Sequence, residues 1–83
     1  MKVDKRLEAM RLNPRADWTL ADLQTVAARY RVVWRHGGGS HAVFRSPTGM
    51  QLVVPARRPI KPVYVSRFVE LIDDAKEAQF PSG

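Results

Sequence analysis

The sequence predicts a small protein of the α+β class with the element order α-β-β-β-α. Two segments, 19–30 and 63–78, repeat apolar residues at the spacing of a helix face. Between them, three short segments rich in β-branched and aromatic residues are separated by glycine- and proline-containing turns. Strands joined in this way form an antiparallel meander. We therefore expect a three-stranded antiparallel sheet with two helices on one face and the other face open.

The first predicted helix begins after Thr19. Thr19 and Asp22 have the spacing of a capping box, in which each side chain bonds the other residue's free backbone N–H. The apolar face of this helix consists of Leu20, Leu23, Val26, Ala27 and Tyr30. The second helix has a predicted buried stripe of Val65, Phe68, Val69, Ile72 and Ala75, with Arg67, Glu70, Asp74 and Glu77 outside it.

The predicted strands cover 31–36, 40–46 and 50–54. The connections between them are Gly37-Gly38-Gly39 and the tight turn Pro47-Thr48-Gly49. Because side chains alternate along a strand, Ala42 and Phe44 face one way and His41, Val43 and Arg45 the other.

Two segments lie outside this pattern. Residues 55–62 contain three prolines and three basic residues, which predicts an irregular, stiff, basic loop. Residues 1–17 are interpreted as an N-terminal extension with a short helix from Lys5 to Leu12, ended by Asn13-Pro14. Residues 18–83 then form the single folded domain that 83 residues allow.

The composition excludes several classes of site. The chain has no cysteine, which rules out disulfides, thiolate zinc sites and cysteine nucleophiles and favours a reducing, cytoplasmic compartment. It has two histidines, so a zinc site would need carboxylates, and we expect neither metal nor cofactor. No apolar run approaches the ~20 residues that span a bilayer, and no signal-peptide core is present. We expect a protein that is neither membrane-bound nor exported.

The positive charge is concentrated in the middle of the sequence. The formal net charge is +6, yet residues 23–69 contain eight basic residues and no acidic one. These are Arg29, Arg31, Arg35, Arg45, Arg57, Arg58, Lys61 and Arg67. Such a segregated field attracts polyanions, and arginine favours bidentate phosphate contacts. A nucleic acid or an acidic protein is the expected partner.

His41 is the candidate catalytic residue. It lies on the predicted open face, directly after Gly39 and Ser40, and shares that face with Arg45. Glycine lets the backbone approach a bulky group, and its N–H can turn towards an anion. A lone strand histidine is nevertheless more often an ordinary surface residue, and the glycine run lacks the Lys-Ser/Thr of a phosphate-binding loop.

A longer pattern surrounds this histidine. It comprises Gly39-Ser40-His41-Ala42-Val43-Phe44, Pro47-Thr48-Gly49, Leu52-Val53-Val54-Pro55 and Ile60-Lys61-Pro62 before a helix. Over residues 20–75 the chain resembles the HicA family of toxins from HicA–HicB toxin–antitoxin pairs. It differs where many members have a histidine, here Arg57, and where many have Gly-Thr, here Val63-Tyr64.

The resemblance implies a double-stranded-RNA-binding-like fold for residues 18–83 and a ribosome-independent mRNA endonuclease activity that depends on His41. It also implies a HicB-type antitoxin as protein partner, with the toxin monomeric when free and heteromeric with the antitoxin. Around His41, the residues expected to bind RNA are Gly39, Ser40, Arg35, Arg45, Arg57, Arg58 and Lys61.

The absence of acidic residues from 23 to 69 argues against magnesium-dependent cleavage, because that cation needs carboxylate ligands. Two other hypotheses stay open. One is a non-catalytic RNA-binding module of the same shape, which would be indifferent to His41→Ala. The other is a protein-interaction domain whose basic face binds an acidic partner.

Overall fold

Three strands form an antiparallel sheet in the middle of the chain. A computed structural model describes residues 4–36 and 39–79. Within these ranges, β1 (Val33–Arg35), β2 (His41–Arg45) and β3 (Gln51–Pro55) pair in the order β1-β2-β3. The register places Phe44 between Trp34 and Leu52. The predicted meander is therefore confirmed.

The first strand is shorter than predicted because the chain turns at Arg31. Arg31 has a φ of 60°, in the left-handed region that few non-glycine residues adopt. The Val32 N–H donates to the Ala27 carbonyl at 3.0 Å, which is the bond that characterises a Schellman helix ending. Val32 is buried, so the chain passes through the core before β1 begins.

The turn between β2 and β3 has the predicted geometry. Gly49 has a φ of 98°, which favours glycine, and the Ser46 N–H donates to the Met50 carbonyl at 2.8 Å. A carboxylate on the third helix holds this turn in place. The Ser46 hydroxyl donates to Asp74 at 2.8 Å, and the Thr48 hydroxyl donates to the same oxygen. The two hydrogen bonds, the one from Thr48 more than the one from Ser46, favour the charged carboxylate and so lower the pKa of Asp74.

The described part of the chain contains three helices. They are α1 (Lys5–Leu12), α2 (Leu20–Arg29) and α3 (Pro62–Gln79). Thr19 caps α2 in a capping box with Asp22, as predicted. Proline is well suited to the first position of α3, because that position makes no intrahelical N–H bond. The loop before α3 contains no helix or strand between Pro55 and Pro62, also as predicted.

All three helices contribute to one core on a single face of the sheet. From the sheet, Ala42, Phe44 and Val54 are fully buried. The Phe44 ring meets the Phe68 ring of α3 edge to face, with centroids 5.2 Å apart. The predicted stripe of α3 is buried throughout, and Leu71 is buried as well. The fold is thus a small α+β structure with a three-stranded antiparallel sheet and helices.

A third helix, α1, packs together with the two predicted helices. In α1, Leu7 and Met10 are 1% and 0% exposed and belong to the same core as the sheet. Arg11 donates two hydrogen bonds to Asp73 of α3, at 2.7 and 2.8 Å. The domain boundary between residues 17 and 18 stays a prediction. In the structure, α1 shares the core of the sheet and the other two helices.

Asp4 connects α1 to the end of α2. Its carboxylate accepts the Leu7 N–H at 3.0 Å, lies 3.1 Å from the Arg29 guanidinium and accepts the Tyr30 hydroxyl at 3.2 Å. Burial alone would raise the pKa of Asp4. The bonds from Leu7, Arg29 and Tyr30 outweigh it, and the net pKa is lowered.

Candidate active site

The face of the sheet opposite the helices is uncovered within the described structure. We call it the open face. Because directly paired residues point to the same side, the register defines its members. They are Val33 and Arg35 of β1, His41, Val43 and Arg45 of β2, and Gln51, Val53 and Pro55 of β3. This set contains two arginines, one histidine and no acidic residue, so it presents a positive surface with an apolar centre.

His41 is at one end of the open face, at the first residue of β2. It is exposed and pairs with Pro55 of β3. Its Nδ1 lies 3.0 Å from the Ser40 hydroxyl oxygen. Ser40 is in turn held by its carbonyl, which accepts the Ala56 N–H at 2.8 Å. The imidazole is therefore oriented by a residue that is itself tied to the loop after β3.

The contact with Ser40 is compatible with either neutral form of His41. A hydroxyl both donates and accepts, so it can give its hydrogen to Nδ1 or receive one from it. When Nδ1 donates to Ser40, Nε2 has a free lone pair and can take a proton. When Nδ1 accepts, Nε2 carries the hydrogen and can give it up. The site is chemically equipped for a general base or a general acid.

The two arginines of the open face lie at different distances from His41. Arg35 pairs with Val43, which makes it a diagonal neighbour of His41, about 7–8 Å away across the strands. Arg45 is four residues further along β2, so at ~3.4 Å per residue it lies roughly 13 Å from His41. The two share a face, as predicted, but Arg35 is much closer.

The predicted glycine connection is described only at its last residue. Gly37 and Gly38 lie outside the described residues. The Gly39 carbonyl contacts His36 Nε2 at 2.9 Å, and a Cβ added at Gly39 would meet no atom within 4 Å. No neighbouring atom therefore requires a glycine at this position. The position next to Ser40 is open space.

The basic loop approaches the same end of the sheet through the bond between Ala56 and Ser40. Arg57, Arg58 and Lys61 are all exposed. Arg58 lies 3.5 Å from Asp17, a residue of the N-terminal segment, and both side chains are well exposed. Such exposed pairs are weak, so Arg58 is partly neutralised but can exchange partners. Arg57 and Lys61 make no such ion pair with the described residues.

The open face offers no obvious second proton-transfer group. Among its described residues, His41 is the one histidine, and none is a carboxylate, lysine, tyrosine or cysteine. The described ranges also contain no group of three or more histidines or carboxylates able to hold a metal ion. No helix in those ranges is long and apolar enough to cross a membrane.

Several residues of this face, and a depression in it, were not singled out from the sequence. Val33, Val53 and Gln51 join the predicted residues on the open face, and Val33 and Val53 are 63% and 50% exposed. A shallow depression is lined by Val33, Trp34, Arg35, Val43, Arg45 and Gln51. The alternation within each strand was the available signal, but the pairing register was needed to show which residues meet.

Comparison with protein-family models, curated protein sequences and solved structures finds no match to this chain. The resemblance described above therefore rests on the motif around His41 and on the element order alone.

Proposed function

We propose that this protein is a metal-independent endoribonuclease, the toxin component of a type II toxin–antitoxin system, and that His41 transfers a proton during mRNA cleavage. One observation supports the proposal most strongly. An exposed histidine, oriented by Ser40, stands on a basic face that carries no carboxylate among its described residues. A polyanion can approach such a group without repulsion.

RNA itself supplies the nucleophile for this reaction. The 2′-hydroxyl loses its proton and bonds to the adjacent phosphorus, while the bond from phosphorus to the 5′-oxygen of the next nucleotide breaks and that oxygen gains a proton. The nucleophile is already tethered, so the protein must mainly orient it, move protons and stabilise charge. His41 performs one of the two proton transfers, through Nε2.

The crowded phosphate needs positive charge nearby. Arg35 is the closest basic residue of the open face, and the Ala56–Ser40 bond brings the basic loop with Arg57 and Lys61 to the same end of the sheet. Guanidinium groups bind phosphate with two parallel hydrogen bonds. The Gly39 backbone and the Ser40 hydroxyl lie next to His41 and can position the RNA strand. Arg45 and Arg58 extend the basic surface further along the RNA.

The proposed domain has a double-stranded-RNA-binding-like fold. The run α2-β1-β2-β3-α3 has the α-β-β-β-α order of a double-stranded-RNA-binding-like domain, to which α1 adds a third helix. A HicB-type antitoxin would inhibit the toxin by covering His41 and the basic face, which would exclude RNA both sterically and electrostatically. The free toxin would act as a monomer in the cytoplasm.

The test is cleavage of a long single-stranded RNA by the purified chain in EDTA. His41→Ala is expected to lower the rate by about 10²–10⁴-fold, the usual contribution of one general acid or base. His36→Ala is the matched control, because it removes the other exposed histidine from the same hairpin. We expect His36→Ala to retain cleavage. Equal activity of His41→Ala and the wild type, with both folded by circular dichroism, would refute the catalytic role.

A non-catalytic RNA-binding module is the second candidate. It is favoured by the lack of a second acid or base among the described residues of the open face. In that case the chain binds RNA without cutting it, and Arg35→Ala weakens binding whereas His41→Ala does not. Arg67→Ala, on the exposed side of α3, removes the same charge elsewhere and serves as control. A third result, in which an acidic protein binds and RNA does not, would point to a protein-interaction domain.

A further inference from the structure

We propose that the depression on the open face, at the end of β2 away from His41, is a binding site for a single unstacked purine base, formed chiefly by Arg45 and Gln51 over an apolar floor. The inference rests on the proposed function, since it assigns a base of the cleaved RNA strand to a particular place on the open face. It concerns which RNA is bound, which the catalytic proposal leaves undefined.

The walls and floor of the depression have different chemistry. Val33 and Val43 supply apolar surface, and Val33 is largely exposed. Arg45 lies directly between Val33 of β1 and Gln51 of β3. Paired residues have Cβ atoms about 4.5–5.5 Å apart, so the guanidinium and the amide can reach the same ligand edge.

Within the described part of the chain, these two polar side chains are not engaged by other residues. Neither the Arg45 guanidinium nor the Gln51 amide hydrogen-bonds to another described residue. Both are exposed and flank the depression. Their donors are therefore available to a ligand, as is the amide oxygen of Gln51.

The residue types favour a purine over a pyrimidine. Arginine pairs with the O6 and N7 atoms of guanine, and glutamine pairs with the N6 and N7 atoms of adenine. The N7 acceptor is common to both purines and absent from pyrimidines. Single-stranded RNA exposes this edge, because its bases can unstack and turn outwards. A purine also covers more of the valine surface than a pyrimidine does.

Charge and position favour RNA as the occupant. Arg35 borders the depression and can hold a flanking phosphate, while no acidic residue lies on the open face as described. The nearest residue of the depression on β2 is Val43, two residues or about 7 Å from His41, and Arg45 lies two residues further along. A base bound between Arg45 and Gln51 therefore belongs to a nucleotide further along the strand than the one at the scissile phosphate.

Trp34 is a nearby reporter of occupancy, because it lies in the strand that borders the depression, with its ring on the Phe44 side of the sheet. It lines the depression and is 40% exposed. The chain has two tryptophans, so Trp18→Phe leaves Trp34 as the single tryptophan, which can be excited apart from the tyrosines. The probes are two short single-stranded oligonucleotides with 2′-O-methyl groups, one all purine and one all pyrimidine. Blocking the 2′-oxygen prevents cleavage, so binding is measured whether or not the chain is a nuclease.

We expect the purine oligonucleotide to bind about fivefold more tightly or better, which is the lower end of what one good base contact contributes. In Gln51→Ala the preference should fall below about twofold while the affinity for the pyrimidine oligonucleotide stays the same. Gln24→Ala, which makes the same change on α2, should keep the preference.

Equal affinity for the two probes, or a preference that survives Gln51→Ala, would overturn the proposal. Failure to bind either probe would overturn it as well and would favour a protein ligand for the open face. A purine preference that depends on Gln51, in a chain for which His41→Ala changes no cleavage, would retain this site and refute the nuclease.

Discussion

The two faces of the sheet are built from the same strands and have opposite properties. On the packed face, Ala42 and Phe44 of β2 are fully buried beneath the helices. On the open face, their neighbours His41 and Arg45 are exposed. Each step along β2 therefore changes the role of the residue from holding the fold to meeting solvent or a ligand. Side chains of the candidate site can therefore be replaced without disturbing the core. Core side chains can likewise be replaced without changing which residues make up the site.

The largest expected effect separates the two faces of β2. Phe44→Ala removes a buried ring that contacts Phe68, and we expect the free energy of unfolding to fall by about 3–5 kcal/mol. His41→Ala, three positions earlier and exposed, should change it by no more than about 0.5 kcal/mol. Urea unfolding followed by circular dichroism measures both. Similar losses in the two variants would mean that His41 has a structural role as well.

Leucines of α1 extend the comparison beyond the sheet. Leu7 is 1% exposed and Leu12 is 82% exposed in the same helix. Leu7→Ala should lower the free energy of unfolding by about 2–5 kcal/mol, whereas Leu12→Ala should change it by about 0.5 kcal/mol or less. Urea midpoints of the two variants are the measurement. A small effect of Leu7→Ala would show that α1 is an appendage after all.

Two adjacent valines of β3 give the closest matched pair. Val54 is fully buried and Val53 is 50% exposed on the open face. Val54→Ala should reduce the free energy of unfolding by about 2 kcal/mol through lost burial, and Val53→Ala by well under half of that. Thermal unfolding of both variants tests the pairing register. The reverse order of effects would indicate that β3 presents its other face to the helices.

The smallest expected effect concerns acid stability and the turn between β2 and β3. Because the folded state lowers the pKa of Asp74 below its ordinary value of 3.8, the carboxylate stabilises the fold above that pH. This stabilisation is lost as the pH falls through the lower, folded pKa. Asp74→Asn should make the loss of stability below about pH 4 shallower, with Thr48→Val in between. Urea unfolding at a series of pH values measures the slopes, and identical slopes for wild type and Asp74→Asn would contradict the assignment.

Local signals in the sequence were sufficient for most of the secondary structure. Thr19 with Asp22 predicts the start of α2, and Gly49 predicts the turn, because both patterns depend on residues within one turn of the chain. The alternation in β2 also placed His41 on the side opposite Phe44 correctly. These inferences need no knowledge of distant residues.

What escaped prediction depends on contacts between distant parts of the chain. Asp74 looked like an outward-facing residue of α3, yet it accepts bonds from a turn 26 and 28 residues earlier. Arg11 and Asp73, separated by 62 residues, hold α1 against α3. The meeting of Arg45 with Gln51 likewise follows from strand register, which helical or strand periodicity does not specify.

The lengths of the outer strands have a consequence for how the protein behaves at high concentration. The edge of a sheet exposes unpaired N–H and C=O groups on which a further chain can assemble into aggregates. Here β1 offers a template of three residues that includes Arg35, and β3 ends at Pro55, which has no N–H to donate. With a net charge of +6, neighbouring molecules also repel one another. The short edge strand, the proline and the net charge therefore all disfavour edge-to-edge assembly, despite the apolar residues on the uncovered sheet.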